Sequence, residues 1–161
     1  MTKGFTLIEL ILVLLLISFT LTTSFVHWHI SQDSLLLQKE QQHLLHFLKK
    51  IQARAENTNQ SWQISISRDL FSGKWCILAQ RQASQICDCL YVHNCNSDIV
   101  RQTYHSHFTS KINILASKYY PTIWTVFNGE RNTSLSAKLV LRLGDKQGTL
   151  SINNVGVMKV R

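Results

Sequence analysis

Hydrophobic and polar positions divide this chain into three stretches with different periods. From Phe5 to about Val26 the residues are apolar all round, broken by a single acid, Glu9. Further on the apolar residues thin to a stripe. Leu37, Leu44, Leu48, Ile51 and Ala55 recur at spacings of seven, four, three and four, which sets them on one helix face. Lys39, Glu40, Lys49, Lys50 and Arg54 occupy the other sides. The two stretches read as one helix over 5–57, and Asn57-Thr58-Asn59 supplies its stop. At 1.5 Å per residue such a helix extends roughly 80 Å, of which only about 30 Å fits a hydrocarbon core. His27-Trp28-His29 has the amphipathic aromatic character of a membrane interface, so a membrane half followed by an amphipathic half is expected.

After the helix the period drops to two. Residues 62–67 alternate apolar and polar, and Ser72-Gly73 marks a turn before 74–78. Further strands are expected over 88–93, 112–115 and 123–127, the last two separated by Tyr119-Tyr120-Pro121. Residues 138–143, a turn over 144–148, then 149–152 and 155–160 read as an antiparallel meander. A helix laid on one antiparallel sheet buries both apolar faces, so the expected class is α+β.

Length and charge refine this picture. The chain has 161 residues, enough for one domain with an anchor, and its 45% hydrophobic content suits a folded chain. The net charge of +8 is concentrated late. From Arg101 onward Arg101, Lys111, Lys118, Arg131, Lys138, Arg142, Lys146, Lys159 and Arg161 face only Glu130 and Asp145. Such a basic half suits nucleic acid, anionic lipid or an acidic partner, or a solvated surface. Trp62, Trp75, Trp124 and Phe127 are expected in the core, with base stacking as the lesser reading. No nucleophile elbow, phosphate loop, zinc-protease motif or close carboxylate pair occurs, and the chain is read as no enzyme with no cofactor.

Cys76, Cys87, Cys89 and Cys95 fall in one short stretch. They lack the paired C-x2-4-C spacing of common zinc modules, so disulfides are expected and no metal. The seven His are dispersed, and the His27/His29 and His105/His107 pairs read as surface or interfacial side chains.

Glu9 carries the sharpest signal. An acid in a membrane-embedded helix costs roughly 2.5–3.5 kcal/mol even on the milder scales, so it needs a partner. A secretory signal peptide would need a small-x-small cleavage site, for which Thr20-Leu21-Thr22 is poor, and it would leave Glu9 misplaced. A plain signal anchor is nearly offered, whereas an interfacial helix lacks its polar stripe. With Lys3-Gly4-Phe5 in front, the segment resembles the leader of type IV prepilins and pseudopilins. The resemblance implies cleavage between Gly4 and Phe5, N-methylation of Phe5, and subunit docking through Glu9.

Trp75-Cys76 with Cys87 eleven residues on, Phe127-Asn128-Gly129 before Arg131-Asn132-Thr133, and a last strand with Gly156 resemble GspH/FimT-type minor pilins, including competence-associated ones. The implied organisation is a leader over 1–4, a transmembrane and assembly segment over 5–29, an amphipathic half over 30–57, and a β-rich pilin domain over 58–161. The implied function is a minor pilin that primes or caps a type IV or competence pilus with other minor pilins and the major pilin. Its partners would be a prepilin peptidase/methyltransferase and the inner membrane, which it crosses once with a periplasmic domain before joining the fibre, at the tip. Alternatives are a DNA-binding tip receptor and a pseudopilin of type II secretion.

Four cysteines allow three pairings. Turn geometry together with the family's spacing favours Cys76–Cys87 and Cys89–Cys95. Two departures from the family matter. The Gly-Arg-x-Arg pattern of DNA-binding members reads Gly156-Val157-Met158-Lys159 here, so the first Arg is replaced by an apolar side chain. Any DNA contact then falls to Arg142, Lys146, Lys159 and Arg161, and is weak and salt-sensitive. The second is Val26 where many major pilins have Pro, so no Pro kink is imposed.

Overall fold

The computed structural model describes residues 7–91, 93, 95–108 and 111–161, with the backbone alone over 23–31. Helix α1 spans Leu7–Thr58. It precedes β1 (Trp62–Arg68), β2 (Trp75–Arg81), β3 (Arg101–His105), β4 (Asn113–Ala116), β5 (Thr125–Asn128), β6 (Thr133–Ser134), β7 (Ala137–Leu143), β8 (Lys146–Ile152) and β9 (Met158–Val160). The chain divides into two compact units, Met1–Leu35 and Leu36–Arg161.

Several expectations are corrected here. Among the described residues no helix is long and apolar enough to cross a membrane. The transmembrane segment over 5–29 and the single-pass inner-membrane placement with a periplasmic domain therefore fall. The physical reason lies in the composition. A span needs about 20 largely apolar residues, but the run between Glu9 and Ser18 covers only 10–17. Ser18, Thr20 and Thr22 follow, and their hydroxyls donate to backbone carbonyls of their own helix, Ser18 to Leu14 at 2.6 Å and Thr22 to Phe19 at 2.9 Å. The pilin-like α+β arrangement of a part-membrane helix on one sheet is corrected likewise. The described strands form two sheets, ordered β3-β2-β1-β5-β6 and β4-β7-β8-β9.

Both sheets are antiparallel throughout. In the second unit, Leu37, Leu44, Leu48, Ile51 and Ala55 of α1 are all buried in one core with Trp62, Ile64 and Ile66 of β1, Trp75 and Ile77 of β2, and Leu139, Leu141, Leu150 and Ile152 of β7 and β8. Each buried aliphatic side chain contributes about 1.5–3 kcal/mol. Two tryptophans tie the parts together. Trp75 Nε1 donates to the Ile112 carbonyl at 2.7 Å, and Trp124 Nε1 to the Lys138 carbonyl at 3.3 Å.

The end of α1 follows from its sequence. Asn59 adopts φ +50°, the left-handed conformation that Asn tolerates, and the Gln60 amide donates to the Ala55 carbonyl at 3.1 Å. Gly129 sits directly against that same turn. A Cβ there would collide with the Ala55 carbonyl oxygen, so only glycine lets the chain pass so close.

In the first sheet the adjoining strands β1 and β2 are buried on both sides. Trp62, Ile64 and Ile66 alternate with Gln63, Ser65 and Ser67, and all six are buried. The second set lies under the loop between β2 and β3. Gln63 Nε2 donates to the Ala83 carbonyl at 3.3 Å and Ser65 Oγ to the Cys87 carbonyl at 3.4 Å. That loop was expected to hold a strand over 88–93, but its described residues form none. Short β3 and β6 escaped the alternation reading because their burial is partial.

Candidate functional site

Gly4 and Phe5, the expected cleavage and methylation positions, lie outside the described residues. Glu9 lies in the first turn of α1 and is exposed. Around it the apolar side chains are bare: Leu7 is 79% exposed, Ile8 74% and Leu10 56%. Exposure continues through Leu21 and includes Phe19. No single stripe is apolar here, because consecutive residues from Leu10 to Ile17 are all hydrophobic and all exposed. Such a surface can be covered only from more than one side.

The cysteines are all paired, but not as the turn argument had it. The bridges are Cys76–Cys89 and Cys87–Cys95, replacing the expected Cys76–Cys87 and Cys89–Cys95. The reason is local. The Cys87 amide donates to Gln80 Oε1 at 2.8 Å and its carbonyl accepts from Ser65, which pins Cys87 beside the far part of β2. Cys76 lies further back along that strand than Leu78 and Gln80, the positions beside which Cys87 is held. The loop runs back along β2 and meets Cys76 two residues later, at Cys89. Cys76, Leu78, Cys87 and Cys89 thus form a small second core.

The cationic candidates separate by face. Lys138, Ser151 and Lys159 stand opposite one another on β7, β8 and β9, and Arg142 stands between Asn113 and Gln147. Arg161 pairs with Thr149 through two backbone hydrogen bonds of 2.9 and 2.7 Å. Direct partners share a sheet face, so Lys138, Arg142, Lys159 and Arg161 lie on the outer face of the second sheet. Lys138, Thr149, Ser151, Lys159 and Arg161 line one depression there, of about 380 Å³. Lys146 pairs with Leu143 and belongs to the opposite face at the turn, so it leaves the expected set. Lys138 was missed, although the alternation of Lys138, Val140 and Arg142 with Leu139, Leu141 and Leu143 carries the signal.

Glu40 was also misread. It was assigned to the exposed side of α1 but is fully buried. Its Oε1 accepts a hydrogen bond from the Tyr104 hydroxyl at 3.0 Å, and its Oε2 has no partner. Burial, and then the negative charge of Glu40, push the Tyr104 phenol far above its ordinary pKa. Tyr104 packs on Phe47 and Trp75, so the pair is built into the wall between helix and sheet.

No protein-family model matches the chain. A protein of Haemophilus influenzae described as an uncharacterized protein is 36% identical over 161 residues, which is all of this chain and 95% of the other. The chain belongs to that protein's family. The match spans the apolar stretch and the β-rich unit alike, so the relative has a counterpart of both. No solved structure matches the chain.

Proposed function

We propose that this protein is a pilin-like assembly subunit, not an enzyme, which joins other pilin-like subunits to start or cap a type IV or competence fibre. One observation carries the reading. The first part of α1 exposes hydrophobic side chains on every side, from Leu7 to Leu21, around the lone acid Glu9. Helices of neighbouring subunits packed around it would cover that surface, and the resemblance of Gly4-Phe5 and Glu9 to the prepilin leader supplies the context. In such a bundle Glu9 pairs with the N-terminal amine of a neighbouring subunit, because an uncovered carboxylate among packed aliphatic side chains is costly. Prepilin peptidase/methyltransferase is the enzyme that would prepare the chain. The test is affinity capture of tagged protein from its host under mild detergent. Wild type should bring down other pilin-like subunits and Glu9→Ala should not. Equal capture by both removes the role of Glu9.

A second reading is favoured by the outer face of the second sheet, where Lys138, Arg142, Lys159 and Arg161 gather without an acid among their direct strand partners. Weak binding of a polyanion such as DNA would follow, through phosphate contacts indifferent to sequence. Retention on immobilised DNA that vanishes on raising salt supports this reading. Retention that survives high salt opposes it.

A further inference from the structure

The four cysteines form two bridges of unequal access. Cys76, Cys87 and Cys89 are buried, and of the four Cys95 alone is not. Cys76–Cys89 therefore lies wholly inside the small second core. Cys87–Cys95 instead crosses from that core to its rim, where Cys95 packs beside Leu90 and Ile99. Thiol–disulfide exchange requires a thiolate to reach one of the two bonded sulfurs. Access thus separates two bridges that are otherwise alike in chemistry.

The supports of the two bridges differ as well. Cys76 sits within β2, between Ser67 of β1 and His105 of β3. Cys87 is held by the Gln80 side chain and by Ser65 Oγ, and Gln80 is fixed in turn, its Nε2 donating to the Gln85 carbonyl at 2.7 Å. The buried bridge is therefore anchored in the sheet at one end and close to a pinned backbone at the other. Around Cys95 the hydrogen bonds belong to a surface turn. The Asn96 carbonyl accepts from the Ile99 amide at 3.3 Å and from Arg101 Nη1 at 3.1 Å, and Asn96 Oδ1 accepts from the Asp98 amide at 3.3 Å. Asn96, Ser97 and Asp98 are exposed. The sheet holds one bridge, and a surface loop carries one end of the other.

The reaction open to this arrangement is a two-step exchange with a dithiol. A thiolate attacks Cys95 Sγ, the Cys87–Cys95 bond breaks, and Cys87 leaves as a thiolate that takes a proton from water. The second thiol of the reductant then displaces Cys95 from the mixed disulfide. Two electrons pass, so this chain gains two thiols and the reductant becomes a disulfide. Attack at Cys87 Sγ is blocked by burial. Once released, Cys87 keeps its place, since Gln80 and Ser65 hold its backbone rather than its sulfur, and the bridge can re-form. The change is confined to the loop from Leu90 to Ile99, which loses the bond that fastens it to Cys87.

We propose that Cys87–Cys95 is a reversible redox latch on the loop between β2 and β3, opened by dithiol attack at Cys95 while Cys76–Cys89 stays closed. The inference is independent of fibre assembly. It is tested on the full chain in mild detergent without denaturant. The protein is treated with increasing dithiothreitol, quenched with iodoacetamide, and its peptides are mapped by mass spectrometry. A one-bridge species should accumulate, alkylated at Cys87 and Cys95 and still linked Cys76–Cys89. Its first bridge should be lost at least about tenfold faster than the second, because the buried bridge is attacked only after local opening. Brief treatment with glutathione instead should leave an adduct on Cys95 and none on Cys87. Hydrogen exchange of the one-bridge species should quicken over 90–99 and stay unchanged over β1 and β2. In urea that unfolds the second unit, the difference in reduction rate should vanish. The proposal is overturned by loss of both bridges at one rate, by loss of Cys76–Cys89 first, or by a glutathione adduct on Cys87. Unchanged exchange over 90–99, or a rate difference that persists in urea, overturns it equally.

Discussion

Along α1, the side chains from Leu7 to Leu21 and those from Leu37 to Ala55 are both rich in leucine, yet their surroundings are opposite. Leu14 is 58% exposed and Leu15 65%, whereas Leu44 and Leu48 are fully buried. The difference is pattern rather than hydrophobicity. Leu37, Leu44, Leu48, Ile51 and Ala55 form one stripe, which strands of the same unit cover. The earlier stretch is apolar on all sides, more surface than one sheet can cover, and it stays exposed.

The largest effect separates these two stretches. Leu48→Ala should cost about 2–5 kcal/mol of folding stability, read as a lower urea midpoint of the second unit. Leu14→Ala should leave that midpoint within about 0.5 kcal/mol. A matching loss at Leu14 would break the contrast. Next, replacing Cys76 and Cys89 together by Ser should cost about 2–4 kcal/mol, and the reduced wild type, which also loses Cys87–Cys95, should fall to that midpoint or below it. Peptide mapping without reductant should yield Cys76–Cys89 and Cys87–Cys95 linked peptides, and recovery of Cys76–Cys87 would contradict the pinned position of Cys87.

Smaller again is the buried pair of Glu40 and Tyr104. Tyr104→Phe leaves a fully buried carboxylate without its donor and should cost about 1–3 kcal/mol. The sign of its pH dependence is fixed. The folded state raises the Tyr104 pKa above the ordinary 10.0, so it favours the protonated phenol. That stabilisation is complete below pH 10 and is lost as the pH rises beyond it. Alkaline unfolding curves should flatten in Tyr104→Phe, and unchanged curves would show that the phenol plays no part. The smallest effect on stability, within about 0.5 kcal/mol, belongs to Lys138→Ala with Lys159→Ala. Both are exposed, and their loss should still reduce the salt slope of DNA retention by about 0.9 per phosphate contact removed.

The strands of the second sheet were legible because one face is buried and the other is not. Leu139, Leu141 and Leu143 alternate with exposed or half-buried residues, and period two is then visible. The helix stripe was legible for the same reason. The first sheet was harder to read, since burial on both faces leaves Gln63, Ser65 and Ser67 inside, and only tertiary hydrogen bonds explain them. Disulfide pairing was not legible, because Gln80 sets the position of Cys87 through a side-chain contact. Glu40 was assigned outward by its charge, and nothing local to α1 signals the Tyr104 hydroxyl that meets it. The membrane span was overcounted by treating the hydroxyl-bearing turn after Ile17 as apolar.

The central claim is that the exposed apolar part of α1, with Glu9 in it, packs among other subunits of a fibre. Counting surface fibres per cell by electron microscopy tests it most directly, in a deletion strain of the native host restored with wild type or with Glu9→Ala. The account predicts few or no fibres in the deletion strain, recovery with wild type, and little recovery with Glu9→Ala at equal protein level. Wild-type fibre numbers in the deletion strain would contradict it.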